Sequence, residues 1–384
     1  MKCIIDAKEL RETLKAVKPW VPLKPHLQIM AHVLIQADEL GTHITAYDFE
    51  MFGNTVRFPV EAFRSVNGSC VVRFKDLLDI TSKAEGKVVL EFDMISKLSL
   101  AFDNTTLTLK ARPKDEFPNV QSGWKDFFNG DPNDESVSVS FQKFVQATQH
   151  TLVATDNSSG QNHFTRGLLI DAHENVVNFI GTDGRRLHHA SVEPRLMEGT
   201  WQALISTEIA AKIAHLKVNP SETINFGLRR MDDSVFFSWS VDNIEGFCAL
   251  MDTPYPEWAK VVPTEHEGLI EISADALTKC INRMSPIAKS DDGRDMVVLN
   301  GNSAMTVTAK AESMGTGEAK TVCNHLQGPD MLVALNYVYL LDVLNLHKGK
   351  QVQVIFQGDL DPVMIRSKYD SSRTSVLMPV RLPE

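Results

Sequence analysis

A chain of 384 residues, 43% hydrophobic and 23% charged, is long enough for two to four domains that each bury a core, which excludes a disordered or fibrous protein. No stretch approaches eighteen consecutive apolar residues, and the opening MKCIIDAKEL lacks the apolar run of a signal peptide, so a soluble, cytoplasmic protein with no membrane partner is expected. The formal net charge of −10 argues against a nucleic-acid partner unless positive charge is concentrated locally.

The first predicted element is an amphipathic helix beginning near Ala7, with Leu10, Leu14 and Val17 on its apolar side. Lys8, Arg11 and Lys15 fall within about 60° of one another at 100° per residue, roughly 120° from that stripe, so one face is basic and another is core. Lys18 and Lys24 extend the positive run. HVLIQADELGTHITAYD and KLSLAFDNTTLTLKA then alternate with the two-residue rhythm of strands. A second helix near Lys75 is followed by the strand patterns Val88–Phe92 and Leu98–Phe102.

The same order of elements recurs twice. First helices reappear near Phe141 and Ser273, about 132 to 134 residues apart, and second helices near Thr207 and Asn336, about 130 apart. The strand pairs Ile224–Phe226 with Val235–Trp239, and Val352–Phe356 with Val363–Ile365, follow them. The polar, Gly- or Pro-bearing stretches Phe128–Glu135 and Pro256–Glu267 read as linkers. Three domains are therefore expected, at 1–129, 136–258 and 264–384, of class α+β, each with two helices packed on antiparallel sheets. A fixed-period repeat favours an architecture that presents one surface repeatedly over one built around a single active site. Later helices add Lys83, Lys87, Lys212, His215, Lys217, Lys279, Arg283, Lys289, His347, Lys348 and Lys350 to the basic positions; ordinary solvated faces are the alternative.

Motifs of chemistry are sparse. The chain has no G-x-x-x-x-G-K-[ST], G-x-G-x-x-G, H-E-x-x-H or G-x-S-x-G pattern, so no cofactor is implied. Cys3, Cys70, Cys248, Cys280 and Cys323 are scattered, odd in number and without a C-x-x-C pair, as expected of reduced, buried thiols. In GTDGRRLHH a phosphoryl-transfer or metal site could draw on Asp183, Arg185 and His188, but an Asp-Gly turn between strands is the favoured reading. Asp359 and Asp361, next to Pro362, are read as turn formers in preference to metal ligands.

The segment FTRGLLIDAHENVVNFIGTDGRRLHHA resembles the middle-domain stretch of the bacterial DNA polymerase III beta subunit, the sliding clamp. Four further stretches resemble the same family in the same order: LKPHLQIMAHVLIQA with AYDFEM, DEFPNV, YPEWAKVVP, and NYVYLLDVLNLHKGKQVQVIFQGDLDPVMIRS with SVLMPVRL. The resemblance implies a non-catalytic processivity factor. Two three-domain chains would form a closed ring around duplex DNA, helices lining the hole, with a repeat-built interaction scaffold that never meets DNA as the alternative. Lys8, Arg11, Lys15, Lys24, Lys212, Lys217, Lys279 and Arg283 would face the DNA, which reconciles local positive charge with a net charge of −10.

The resemblance also implies a peptide-binding pocket at the seam of the middle and third domains, for the polymerase III catalytic subunit, the clamp loader and other clamp-binding peptides. The matching positions are Phe164, Thr165, Thr182, Gly184, Arg185, Arg186 and Leu187, then Pro256, Lys260 and Val261 across the junction. Asn336 and Tyr339 on the last helix, Leu360 and Pro362 on a loop, and the terminal Val376, Leu377, Met378, Pro379, Val380, Arg381 and Leu382 complete it. Thr165 stands where clamps often carry a larger apolar residue, Lys260 stands for an arginine, and Pro383 and Glu384 extend the usual terminus; the loop Thr155–Asn162 is longer and more polar than in many clamps. Leu107 and Leu109 on a first-domain edge strand, with Ile287 in the third domain, match apolar positions of the homodimer interface.

Overall fold

The computed structural model describes residues 1–39, 41–48, 54–118, 135–156, 163–231, 234–263, 267–289 and 295–381. Most of the expected linker Phe128–Glu135 and of the loop Thr155–Asn162 lies outside them, as does Leu382. The described residues form six α-helices, α1 (Ala7–Val17), α2 (Phe74–Thr81), α3 (Phe141–Leu152), α4 (Thr207–Ala214), α5 (Ala274–Ala288) and α6 (Tyr337–Leu346), with antiparallel strands between them. The class is α+β. None of these helices is long and apolar enough to cross a membrane.

Helix starts follow local chemistry. Asp6 caps α1 by accepting from the Lys8 and Glu9 amides at 2.9 and 3.3 Å, and Ala7, Leu10, Leu14 and Val17 are buried at helical spacing. Ser273 caps α5, and Asn336 caps α6 by accepting from the Val338 and Tyr339 amides at 2.9 and 3.2 Å. Each such cap contributes about 1 kcal/mol by satisfying a backbone donor that the helix itself cannot. Three hairpins turn on two residues that both have positive φ, Asp103–Asn104, Glu174–Asn175 and Asp242–Asn243, a geometry matched to strand twist.

The chain divides into two compact units. The first comprises Met1–Val145, Ala172–Asn175 and Pro194–Met251. Its 14-stranded sheet is made continuous where Ile244–Ala249 pairs Asn54–Val60, in the register Glu245↔Arg57, Gly246↔Val56 and Phe247↔Thr55. Trp20 stacks on Trp239, ring centroids 5.7 Å apart, with both indoles buried. Gly246 is required beneath them, because a Cβ there would collide with the Trp239 indole.

The second unit comprises Gln146–Asp171, Val176–Glu193 and Asp252–Glu384. In one sheet the strands run Val176–Thr182, Arg186–Val192, Asp370–Leu377, Val363–Ser367, Gln351–Phe356, Gly268–Ser273 and Asn324–Gln327. The pairing of Arg186–Val192 with Asp370–Leu377 joins segments that the repeat assigns to different domains. A four-stranded sheet packs with α5 and α6 around Leu277, Ile281, Leu299, Leu340, Val343 and Val354, all essentially inaccessible. Burial of each such side chain is worth about 1.5–3 kcal/mol before conformational entropy is set against it.

All five cysteines are buried free thiols, and burial pushes Cys3 up to about 11 and Cys70 and Cys248 up to about 12. The basic positions need one correction. His347, placed by sequence in the cationic run, is 3% exposed at the C-cap of α6, and burial lowers its pKa to about 4, so it is a neutral interior group. Its ring lies 6.3 Å from that of His150, which lies 5.2 Å from that of His188.

Candidate binding sites

The outward face of α1 carries Lys8 and Lys15, both exposed, while Arg11 is half-buried and donates to the Ser82 carbonyl at 3.0 Å. Lys24 and Lys217 are exposed, as are Lys279 and Arg283, one turn apart on α5. Lys212 differs from the other cationic positions. It pairs with Glu208 at 2.9 Å and lies 5.9 Å from the Trp20 ring centre, so its charge is largely spent within the fold.

Leu107, 38% exposed, and the half-buried Leu109 lie on the strand Thr105–Arg112. This strand is internal in the sheet order, not the edge strand expected, because Ala111 and Arg112 pair with Val72 and Val71. Among the described residues, Thr105–Lys110 pairs on one side only, with Lys97–Phe102, so its outer edge is open to them. Beside it lies a groove of about 590 Å³ lined by His32, Arg73, Lys97, Lys110 and Arg112 among others. Sequence reading missed these groups: the turn at Asp103–Asn104 fixes a register in which Lys97 faces Lys110, an unfavourable like-charge pair. Ile287 is half-buried against the core of its own unit, above Gly317.

Several of the residues expected at the pocket lie at one end of the second unit's sheet, around the turn between Val176–Thr182 and Arg186–Val192 and the end of Asp370–Leu377. Asp183 forms the turn between Val176–Thr182 and Arg186–Val192, accepting from the Arg185 and Arg186 amides at 2.9 and 3.0 Å. Gly184 sits in that turn at φ +84°, where any other residue would be strained. The Thr182 hydroxyl donates to the Arg186 carbonyl at 2.6 Å and accepts from the Gly184 amide at 3.1 Å.

Arg186 ties this turn to α6. Its guanidinium bonds Asp183 at 3.0 Å and Asp342 at 2.7 Å, and stacks 4.3 Å above the Tyr339 ring centre. Leu187 and Arg186 pair with Val376 and Leu377, and Val363 also pairs with Leu377. Met378 follows Leu377, and its amide donates to the Arg185 carbonyl at 3.0 Å. The Val380 amide donates to the Ala334 carbonyl at 2.9 Å, and Arg381 beyond it is exposed. The strand ends at Leu377; Val376 and Leu377 are buried, while Met378 is 43% exposed.

Val338 on the first turn of α6, Leu360, Val261 and Met378 are each exposed apolar residues of this unit. Phe164 meets Tyr255 edge to face at 5.9 Å, Tyr255 donates to the Ile180 carbonyl at 3.3 Å, and burial pushes its hydroxyl up. Thr165 is buried, its carbonyl accepting from the Asp156 amide. The segment Pro256–Val261 is anchored by Trp258, which stacks on His189 at 5.0 Å and donates to Asp171 at 3.2 Å. Lys260 within it pairs with Glu257. Asp342, Val338, Tyr255 and Trp258 belong to this constellation and were not singled out in the sequence; the turn at Asp183 alone does not say which helix Arg186 will reach.

Asp183, Arg185 and His188 do not form one reactive site. His188 faces the interior, its Nδ1 2.9 Å from the His150 carbonyl, while Asp183 is occupied by Arg186 and two amides. Asp361 accepts from the Gly358 amide at 3.0 Å, as a turn former does, and no cluster of metal-ligating groups occurs among the described residues.

Comparison with known proteins accords with this architecture. The family model for the DNA polymerase III beta subunit N-terminal domain matches residues 1–121 and that for its C-terminal domain matches 259–381, together more than half of the chain. The beta sliding clamp of Haemophilus influenzae is 23% identical over 397 residues, covering 100% of both chains, and that of Staphylococcus aureus strain Mu50 is 22% identical over 379 residues, covering 97% and 96%. The crystal structure of the Pseudomonas aeruginosa DNA polymerase III subunit beta superimposes with a TM-score of 0.86 at 19% identity, covering 100% of both chains, which extends the likeness of fold over the full length. With both end domains matched by the family's own models and the fold shared throughout, the chain belongs to the DNA polymerase III beta subunit family, the beta sliding clamps.

Proposed function

We propose that two copies of this chain close into a ring around duplex DNA and hold a replicative polymerase and other replication and repair proteins on the template. The protein catalyses nothing itself and is loaded by a separate ATP-dependent clamp loader. The observation that carries this reading is membership of the beta sliding clamp family, through the models for its N- and C-terminal domains and a relative that covers the whole chain. In it, the repeat supplies three domains per chain, at 1–129, 136–258 and 264–384, and six per ring. It works in the bacterial cytoplasm, at the nucleoid.

Lys8, Arg11, Lys15, Lys24, Lys217, Lys279 and Arg283 meet phosphates without reading bases, which suits sliding. Lys212 joins them by exchanging its surface ion pair with Glu208 for a phosphate. Leu107, Leu109 and Ile287 contribute to the joint between copies, where the open stretch Thr105–Lys110 needs cover. The groove around Met378, Leu360, Val338 and Val261 takes an extended peptide with two or three apolar anchors, Met378 serving as an adaptable wall.

Retention on DNA tests the proposal directly. Protein loaded onto nicked circular DNA stays bound through gel filtration and is lost once the circle is linearised. Equal loss from both forms would sink the topological reading.

A further inference from the structure

In the first unit's sheet, the strands on the side of Ile244–Ala249 reach those on the side of Asn54–Val60 through a single pairing among the described residues. That pairing is short. It has three cross-strand pairs, Glu245↔Arg57, Gly246↔Val56 and Phe247↔Thr55, whereas Asn54–Val60 has seven with Gly41–Asp48 and Ile244–Ala249 has six with Ser234–Val241. Side chains add little to it. Gly246 offers Val56 no side chain, and the Thr55 hydroxyl is buried with no hydrogen-bond partner among the described residues. Glu245 and Arg57 form an ion pair at 3.9 Å, beyond hydrogen-bond length, with their side chains only 25% and 9% exposed. Arg57 donates a much shorter bond, 2.8 Å, from Nη2 to His43 Nδ1.

A carboxylate that loses most of its water to a stretched, shared partner is disfavoured in its charged form, because desolvation outweighs the attraction. Burial accordingly raises Glu245 to about 7, with Arg57 countering only part of the rise. Ser240, its partner on the other flank, is uncharged. Behind Arg57, burial and the guanidinium lower His43 to about 4, and Asp38 favours the charged form of both.

We propose that the junction of Ile244–Ala249 with Asn54–Val60 is a pH-dependent hinge, held closed on the protonated Glu245 carboxyl and opened more readily once that carboxyl ionises. When the strands part, Glu245 regains water and its ordinary acidity, so opening releases a proton and is favoured as pH rises. His43 is neutral throughout the window near pH 7 and leaves the direction unchanged. The hinge lies within one chain and stands whether or not two copies close into a ring.

Amide hydrogen exchange of the full-length protein, followed by mass spectrometry on peptides covering 54–60 and 244–249, tests this, with rates expressed as protection factors so that intrinsic base catalysis cancels. Protection at the junction is expected to fall by up to about tenfold between about pH 6 and about pH 8.5. The pairing of Phe226 with Trp239 in the same sheet serves as the internal reference and changes by less than about twofold. E245Q, which cannot ionise, gives a flat profile at the junction. Constant protection in the wild type, a fall that survives E245Q, or an equal fall at Phe226 and Trp239 overturns the inference; the comparison of the two strand pairs needs no variant.

Discussion

Helices α1 and α6 share a side-chain N-cap, yet they dispose of polar groups in opposite ways. On α1, Lys8 and Lys15 stand in solvent without an ion pair among the described residues. On α6 the one charged residue, Asp342, is bound to Arg186, Tyr339 lies under the same guanidinium, and the C-cap His347 is buried and neutral. The difference teaches that the number of basic residues along a helix says little about a binding surface. What matters is which of them remain uncompensated once the chain has folded.

Acid should break the α6 side of this contrast most strongly. His150 and His347 have folded pKa values of about 4 and His188 lies well below its ordinary value, chiefly through burial, with Arg373, Lys350, Arg186 and the neighbouring imidazoles opposing further charge and Asp370 favouring it at His347. The unfolded chain therefore binds more protons between about pH 6.5 and 4, and stability falls as pH drops through that window, by at most about 1.4 kcal/mol per pH unit for each histidine. His43 and His189, also near 4, add to the slope. Glu245 works the other way: burial, only partly countered by Arg57, raises it to about 7, so its folded state holds a proton that the unfolded state releases. Urea midpoints measured from pH 7 to pH 4.5 should fall, and E245Q should steepen the fall; a flat profile would mean that the imidazoles are hydrated.

Arg186→Ala should have the next largest effect. It strands two carboxylates that now share one largely buried cation, at a cost of about 2–4 kcal/mol in chemical unfolding. R186K should recover only part of this, since an ammonium cannot stack and fork at once; a loss below about 1 kcal/mol would show the pair to be solvated. Smallest in stability, and confined to the α1 side, is the double change of Lys8 and Lys15 to Ala. It should move the urea midpoint negligibly but lower the salt dependence of DNA association by up to about two units of slope. R11A should add less to that slope than either lysine, because Arg11 is anchored on Ser82.

The helices were legible because their signals are local. The apolar spacing of Leu10, Leu14 and Val17 and the capping side chains Asp6, Ser273 and Asn336 act within one or two turns. The strand pairs after each second helix were legible for the same reason, alternation being a property of neighbours. Nothing within a few residues reveals Trp20 near Lys212 or the burial around His150 that His347 shares, although Glu208, four residues before Lys212, was legible. Arg185 and Arg186 are adjacent and chemically identical, and only the register against Met378 and Leu377 separates an exposed charge from a buried one. Gly246 gave no sign that it would lie against Trp239.

By itself the sequence determined the repeated α+β plan, the positions of six helices, the Asp-Gly turn and the family, since each is encoded in periodicity, caps or stretches of matching residues. The tertiary structure alone decided which charges stay free. It set Arg186 between Asp183 and Asp342, laid Lys212 near the Trp20 ring, sealed three histidines inside and bonded the Arg185 backbone to that of Met378. The physical reason is that desolvation and pairing depend on groups brought together from distant parts of the chain, so the same residue type is a solvated cation in one setting and a neutralised fastening in another.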